Sequence, residues 1–117
     1  MTIKEVQNTL DATMLTPEID LSTEVHTACG SDMMSDVLAY VKDQAVLVTG
    51  LNNPQVVRTA DMMDMVCICF VRGKMPDDTL LSLARERSIA VMTSKLTMFA
   101  ACGRLYEAGL RGGHADA

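Results

Sequence analysis

The sequence predicts an α/β domain: a short, mainly parallel sheet of four to five strands, with helices packed on both faces. Three observations carry this reading. Short apolar runs alternate with amphipathic stretches along the chain. Two of those runs, Ala45-Val46-Leu47-Val48 and Val66-Cys67-Ile68-Cys69-Phe70-Val71, are apolar throughout, as strands buried on both faces must be. Helix-start residues follow them, notably Asn53-Pro54 and Pro76-Asp77-Asp78.

Taken in order, Thr2 caps a first helix and Glu5 completes a capping box, with Ile3, Val6 and Leu10 on the buried face. Ala12 to Leu15 reads as a short extended segment stopped by Thr16-Pro17, and Glu18 to Glu24 as polar connection. Val25 to Cys29 reads as a strand broken by Gly30, with Ser31 as the N-cap of a helix whose stripe is Met34, Val37, Leu38 and Val41. After the first apolar run, Asn53-Pro54 opens a helix that buries Val56, Val57, Ala60 and Met63. Asp77 and Asp78 suit the N-terminus of the next helix, in which Leu80, Leu81 and Ala84 face inward and Arg85, Glu86 and Arg87 face water. Ile89 to Thr93 is the last strand. Thr97 caps the last helix, whose face is Met98, Ala101, Cys102 and Leu105, and Gly109 closes it. The whole chain, 1–117, is expected to be one domain, with 110–117 as a flexible tail. Strands joined in turn by helices lie parallel, through right-handed crossovers.

Composition excludes several function classes. The 117 residues carry a net charge of -5, and the ten Lys and Arg are scattered, which argues against nucleic acid. An acidic chain gains nothing from an anionic membrane surface. No apolar run reaches the ~20 residues that span a bilayer, and the N-terminus lacks the pattern of a signal peptide, so a cytoplasmic protein is expected. The spacing of Cys29, Cys67, Cys69 and Cys102 does not resemble a disulfide framework. Cys67 and Cys69 share a strand face and, with Cys29, Cys102 and His26, are the alternative metal or redox reading; buried packing is the expectation, with no metal and no cofactor. Ser31, Asp32 and His26 supply the residue types of a hydrolytic triad but lack a Gly-x-Ser-x-Gly elbow, so no catalytic residue is assigned. Asp61 and Asp64 are read as one solvent-facing helix face.

In an open parallel sheet, ligands bind beyond the carboxyl ends of the strands. Four loops gather there: Ser31 and Asp32 after Gly30; Thr49, Gly50, Asn52 and Asn53; Arg72, Gly73 and Lys74; and Thr93, Ser94 and Lys95. Each precedes a helix N-terminus, where free N–H groups favour an anion, and Arg72, Lys74 and Lys95 add positive charge. The expected ligand is a small anionic metabolite or nucleotide. The plainer alternative is that these are the turn and cap residues every such sheet requires. No Gly-x-x-x-x-Gly-Lys-Ser/Thr or Gly-x-Gly-x-x-Gly accompanies them. A third reading is a protein-docking surface made by Met33, Met34, Met62, Met63 and Met65.

Val46-Leu47-Val48-Thr49-Gly50, Ile68-Cys69-Phe70-Val71-Arg72-Gly73 and Ala84-Arg85-Glu86-Arg87-Ser88-Ile89-Ala90-Val91 resemble the DRTGG domain, from about Ile3 to Leu110. Gly30 to Leu38 and Thr49 to Ala60 are similar to its free-standing, single-domain members in anaerobic bacteria and archaea. The resemblance implies a fold like the N-terminal domain of HPr kinase and a non-catalytic, regulatory role with subunit association, hence a homodimer. It also implies the company of phosphotransacetylase, of CBS domains in a regulated pyrophosphatase, or of iron-only hydrogenase components in anaerobic redox metabolism. The chain departs from the name-giving motif. It has Leu51-Asn52 where the family shows Asp-Arg, and Arg72-Gly73-Lys74 where it shows Thr-Gly-Gly.

Overall fold

The computed structural model describes residues 1–39 and 43–112. Helix α1 (Ile3–Thr9) begins with the expected capping box: Thr2 Oγ1 accepts from Glu5 N–H, and the Glu5 carboxylate accepts from Thr2 N–H. Strand β1 (Thr13–Met14) follows, then β2 (Thr27–Gly30), α2 (Met34–Val37), β3 (Ala45–Thr49), α3 (Pro54–Met62), β4 (Cys67–Phe70), α4 (Asp78–Glu86), β5 (Ala90–Thr93) and α5 (Met98–Glu107). Asn53, Asp77 and Thr97 cap α3, α4 and α5 through their side chains, as their residue types require. Gly109 follows α5 with φ +114°.

The sheet order is β1-β5-β4-β3-β2. β2 to β5 run parallel with neighbours in sequence side by side, and β1 is antiparallel to β5 through Thr13↔Thr93 and Met14↔Met92. Because the order advances one strand at a time and crossovers are right-handed, α2, α3 and α4 must share one face of the sheet. They do: Val37, Val56, Val57, Ala60, Leu80 and Ala84 pack with Leu47, Ile68, Phe70 and Val91. The other face is covered by α1 and α5, with Ile3, Val6, Leu10, Ala101 and Leu105 against Val46, Val48, Cys67, Cys69 and Met92. Strand residues alternate strictly between the two clusters, and both are closed to solvent, which is why β3 and β4 read as continuous apolar runs.

Several expectations are corrected. Gly30 does not break its strand; it pairs with Val48 inside β2, and Val25 instead gives its N–H to the Met1 carbonyl. Ser31 is not a helix cap. Its Oγ accepts from Met33 N–H at 2.9 Å, a tight turn that uses up the hydroxyl, and the N-cap of α2 is Met33, which makes no side-chain cap. That helix spans four residues, Leu38 beyond it is 46% exposed, and Val41 lies outside the described residues. Asp64 follows the end of α3 in a left-handed conformation, so it does not share a helix face with Asp61, which pairs with Arg87. Leu110 is 6% exposed in the α1–α5 cluster and the Arg111 carbonyl accepts from Ala28 N–H, so the chain from 110 to 112 is bound to the β2 edge rather than frayed. Residues 113–117 lie outside the described residues. Among the described residues, no helix is long and apolar enough to cross a membrane.

Thr16 does more than stop a strand. It is completely buried, and its Oγ1 accepts from Val91 N–H at 2.9 Å, one step beyond the Leu15 N–H···O=C Val91 bond at 2.8 Å. A hydroxyl thus continues the ladder where the chain turns away at Pro17. Thr16→Val keeps the shape and removes the acceptor, leaving the Val91 N–H buried and unpaired. The expected cost is about 1–3 kcal/mol in folding stability, read as a lower urea midpoint at unchanged slope.

Candidate functional site

All four expected loops reach one rim of the sheet, since β2 to β5 end on the same side. The structure then divides them into two groups.

The first group ties the ends of β2, β3 and β4 together. Asp32 Oδ1 accepts from Gly50 N–H at 2.6 Å and from the buried Thr49 hydroxyl at 3.2 Å. Thr49 Oγ1 accepts in turn from Leu51 N–H. The Arg72 guanidinium lies against Gly50, where a Cβ would displace it, so the absence of a side chain at position 50 permits this close approach. Arg72 itself is left-handed at φ +57°. Asp11, Asp64 and Ser88 share that conformation, but each directly follows a helix C-cap, where it is ordinary. Arg72 follows a strand, and it is held by its N–H to the Leu96 carbonyl and by Gly73 N–H to the Ser94 carbonyl, both 2.8 Å. Asn52 Nδ2 donates to the Met75 carbonyl at 2.8 Å, and Asn53 is occupied in capping α3. These residues build the rim.

The second group surrounds a cavity of about 460 Å³, lined by Gly73, Thr93, Ser94 and Lys95 from the expected set, together with Asp11, Thr13, Met75 and Leu96. Thr93 Oγ1 donates to the Lys74 carbonyl at 2.7 Å, and the buried Ser94 hydroxyl donates to the Leu10 carbonyl at 2.7 Å. Topology explains the location. The chain leaves β4 for α4 on one face of the sheet and leaves β5 for α5 on the other. Adjacent strands whose connections part to opposite faces leave a crevice between their carboxyl ends, the switch point at which α/β sheets bind ligands. Met75 and Leu96 lie one residue beyond the loops read from sequence. Asp11 and Thr13 carried no sequence signal, because only the pairing of β1 with β5 brings them to this edge.

Cys67, Cys69 and Cys102 share the α1–α5 face, but Cys29 and His26 do not join them. Cys67 and Cys69 are buried in the α1–α5 cluster, whereas Cys29 lies in the opposite one. Burial pushes the Cys67 thiol well up and Cys69 up to about 12, and it raises Cys102 as well. Thiols held protonated in this way are poor nucleophiles and poor ligands. His26 bonds Asp43 at 3.0 Å, which holds that carboxyl below its ordinary range. It sits before β2 and Ser31 after it, about 16 Å apart along an extended chain. Among the described residues, no three His, Cys, Asp or Glu side chains group to hold a metal. The methionine surface also separates: Met63 and Met65 are 5% and 4% exposed, Met34 packs on the core, and of these five Met33 and Met62 face water.

The sequence pattern of the DRTGG domain matches residues 5–108. No curated protein matches the chain. Among solved structures, it is similar to the crystal structure of the CBS and DRTGG domains of the regulatory region of Clostridium perfringens pyrophosphatase, complexed with the activator diadenosine tetraphosphate. The TM-score is 0.70 at 14% identity, covering 89% of this chain and 45% of that one. The likeness is one of fold, and the chain spans less than half the length of that structure.

Proposed function

The chain belongs to the DRTGG domain family, and on that premise we propose that it is a non-catalytic regulatory module that senses a small molecule in the cavity between the ends of β4 and β5. The observation that carries this reading is the coincidence of the cavity with the one place where the parallel strands send their connections to opposite faces. Its lining mixes apolar walls with a few polar groups, as small-molecule sites do. Arg72, Lys74 and Lys95 add positive charge to the same edge of an acidic protein, which supports an anionic metabolite or an adenine nucleotide. The regulatory region of the clostridial pyrophosphatase, similar in fold, takes a nucleotide as activator. In this reading the module works in the cytoplasm as a dimer, and its ligand alters association with a partner.

A second reading, a protein-docking module without a ligand, is favoured by Phe99, which is 90% exposed in the first turn of α5. Thermal unfolding against a panel of nucleotides and small anions separates the two. A ligand at 100 times its dissociation constant adds about 2.7 kcal/mol and raises the transition accordingly. Unchanged unfolding with every compound, together with self-association that Phe99→Ser abolishes in sedimentation velocity, would establish the docking module instead.

A further inference from the structure

Resting on the ligand-sensing reading, we infer that the cavity selects a small amphoteric ligand, with an anionic group at one end and a hydroxyl or amino donor at the other. The inference starts from two charges of opposite sign. Asp11 and Lys95 line the same cavity, yet they do not pair with each other, and neither enters any of the four ion pairs among the described residues. Opposite charges that line one space and leave each other unpaired can both be engaged by a ligand carrying complementary groups. Both are exposed at the shared space, and neither side chain has a hydrogen-bond or ion-pair partner among the described residues.

The backbone fixes where each charged side chain starts. Asp11 is fixed at φ +49° in the turn after α1, its N–H bonded to the Asn8 carbonyl. Lys95 follows Ser94, whose hydroxyl is anchored on the Leu10 carbonyl and accepts from Leu96 N–H. Met75 and Leu96 add apolar side chains to the same lining, and the space above Gly73 is open, since a Cβ there meets nothing within 4 Å. The hydroxyls of Thr93 and Ser94 are already donated to carbonyls and cannot donate to a ligand anion.

A free anion would gain Lys95 but meet the negative field of Asp11, and a neutral donor would leave Lys95 unused. A ligand that carries both functions engages both, and Asp11 excludes plain anions by repulsion. Arg72, which the sequence placed with Lys95, is not in the lining; its guanidinium is set against Gly50. The cavity is therefore not a purely cationic anion trap. The shared ligand chemistry is one phosphate or carboxylate plus a donor, and the source can be a nucleoside monophosphate or an amino acid.

Calorimetric titration of the full chain tests this with two amphoteric probes, adenosine 5′-monophosphate and 4-aminobutyrate. The single-ended controls are inorganic phosphate and adenosine. At least one amphoteric probe is expected to bind tenfold or more tightly than either control, and which one binds identifies the source. Asp11→Asn and Lys95→Met are each expected to weaken that probe about tenfold or more, the size of a lost charged hydrogen bond. Asn is well tolerated in the left-handed conformation of position 11 and Lys95 is exposed, so both variants keep their denaturation midpoints. Tight binding of an amphoteric probe that Asp11→Asn leaves within twofold would overturn the inference while leaving the ligand reading intact. Phosphate binding as tightly as both amphoteric probes would do the same. Failure of all four probes also overturns it, and the thermal panel then decides the ligand reading separately.

Discussion

Replacing Phe70 with Ala is expected to remove about 3–5 kcal/mol of folding stability, the range for deleting a fully buried aromatic side chain. Phe70 ends β4 and is wholly inaccessible to solvent. The chain has two Phe, two Tyr and no Trp. Phe99 and Tyr106 are exposed, so Phe70 is the buried aromatic among the described residues. It packs in the cluster that joins α2, α3 and α4 to the sheet, where its neighbours are mostly Val, Ala and Leu. Small branched residues cannot swing in to fill the space of a lost ring, so most of the cavity persists. A domain of this size holds about 5–15 kcal/mol in total, and the variant loses a large fraction of it. Circular dichroism during urea titration reads the change as a midpoint shift at constant slope. Phe70→Leu, which retains most of the volume, should lose clearly less. A loss below about 1.5 kcal/mol for Phe70→Ala would mean that this ring is not in a packed core.

Gly30→Ala is expected to destabilise by about 1–3 kcal/mol through overpacking, although the substitution adds a single methyl group. A Cβ at position 30 would stand 2.5 Å from Cys102 Sγ, with the Val48 carbonyl at 3.9 Å and Met98 Cγ at 4.0 Å completing the wall. The sulfur has one short bond to move about, and α5 is pinned behind it by Ala101 and Leu105. The backbone at Gly30 is ordinary strand, so the cost arises from contact alone. That makes it testable by compensation: Cys102→Ala removes the sulfur, and the Gly30→Ala/Cys102→Ala pair should recover most of the loss. Chemical denaturation of the four proteins gives the coupling directly. Simple addition of the two single losses would show that α5 does not rest on β2 through this pair.

Both residues bear on how the site is held. Phe70 ends the strand that delivers Arg72 and Gly73 to the rim, and α5 begins at the loop carrying Lys95 and Leu96. The rim was partly legible from sequence. Small and polar residues after apolar runs marked Gly73, Thr93, Ser94 and Lys95, which line the cavity. The same signal also marked Asp32, Thr49, Gly50 and Asn53, whose hydrogen bonds are spent on holding loops together. A turn residue and a ligand residue look alike in sequence, because both are small, polar and placed at a strand end. They differ only in whether a neighbour has already used their donors and acceptors.

Most of the secondary structure depended on local chemistry, and there the sequence sufficed, except at the end of β2, at the start of α2 and at the end of α3. Periods of 2 and 3.6 in apolar residues, and caps at Thr2, Asn53, Asp77 and Thr97, act within a few residues of themselves. Strand direction followed as well, since an intervening helix obliges consecutive strands to run parallel. The assignment of α1 and α5 to one face was a matter for the folded chain. Neither helix is a crossover between parallel strands, so handedness does not bind them; they cover the face that α2, α3 and α4 leave bare. Pairing of β1 with β5 rested on the same kind of long-range choice, an edge satisfied by a segment some 80 residues away. Those two choices part the loops after β4 and β5 and bring Asp11 to the cavity that Lys95 also lines, and so the cavity exists only in three dimensions.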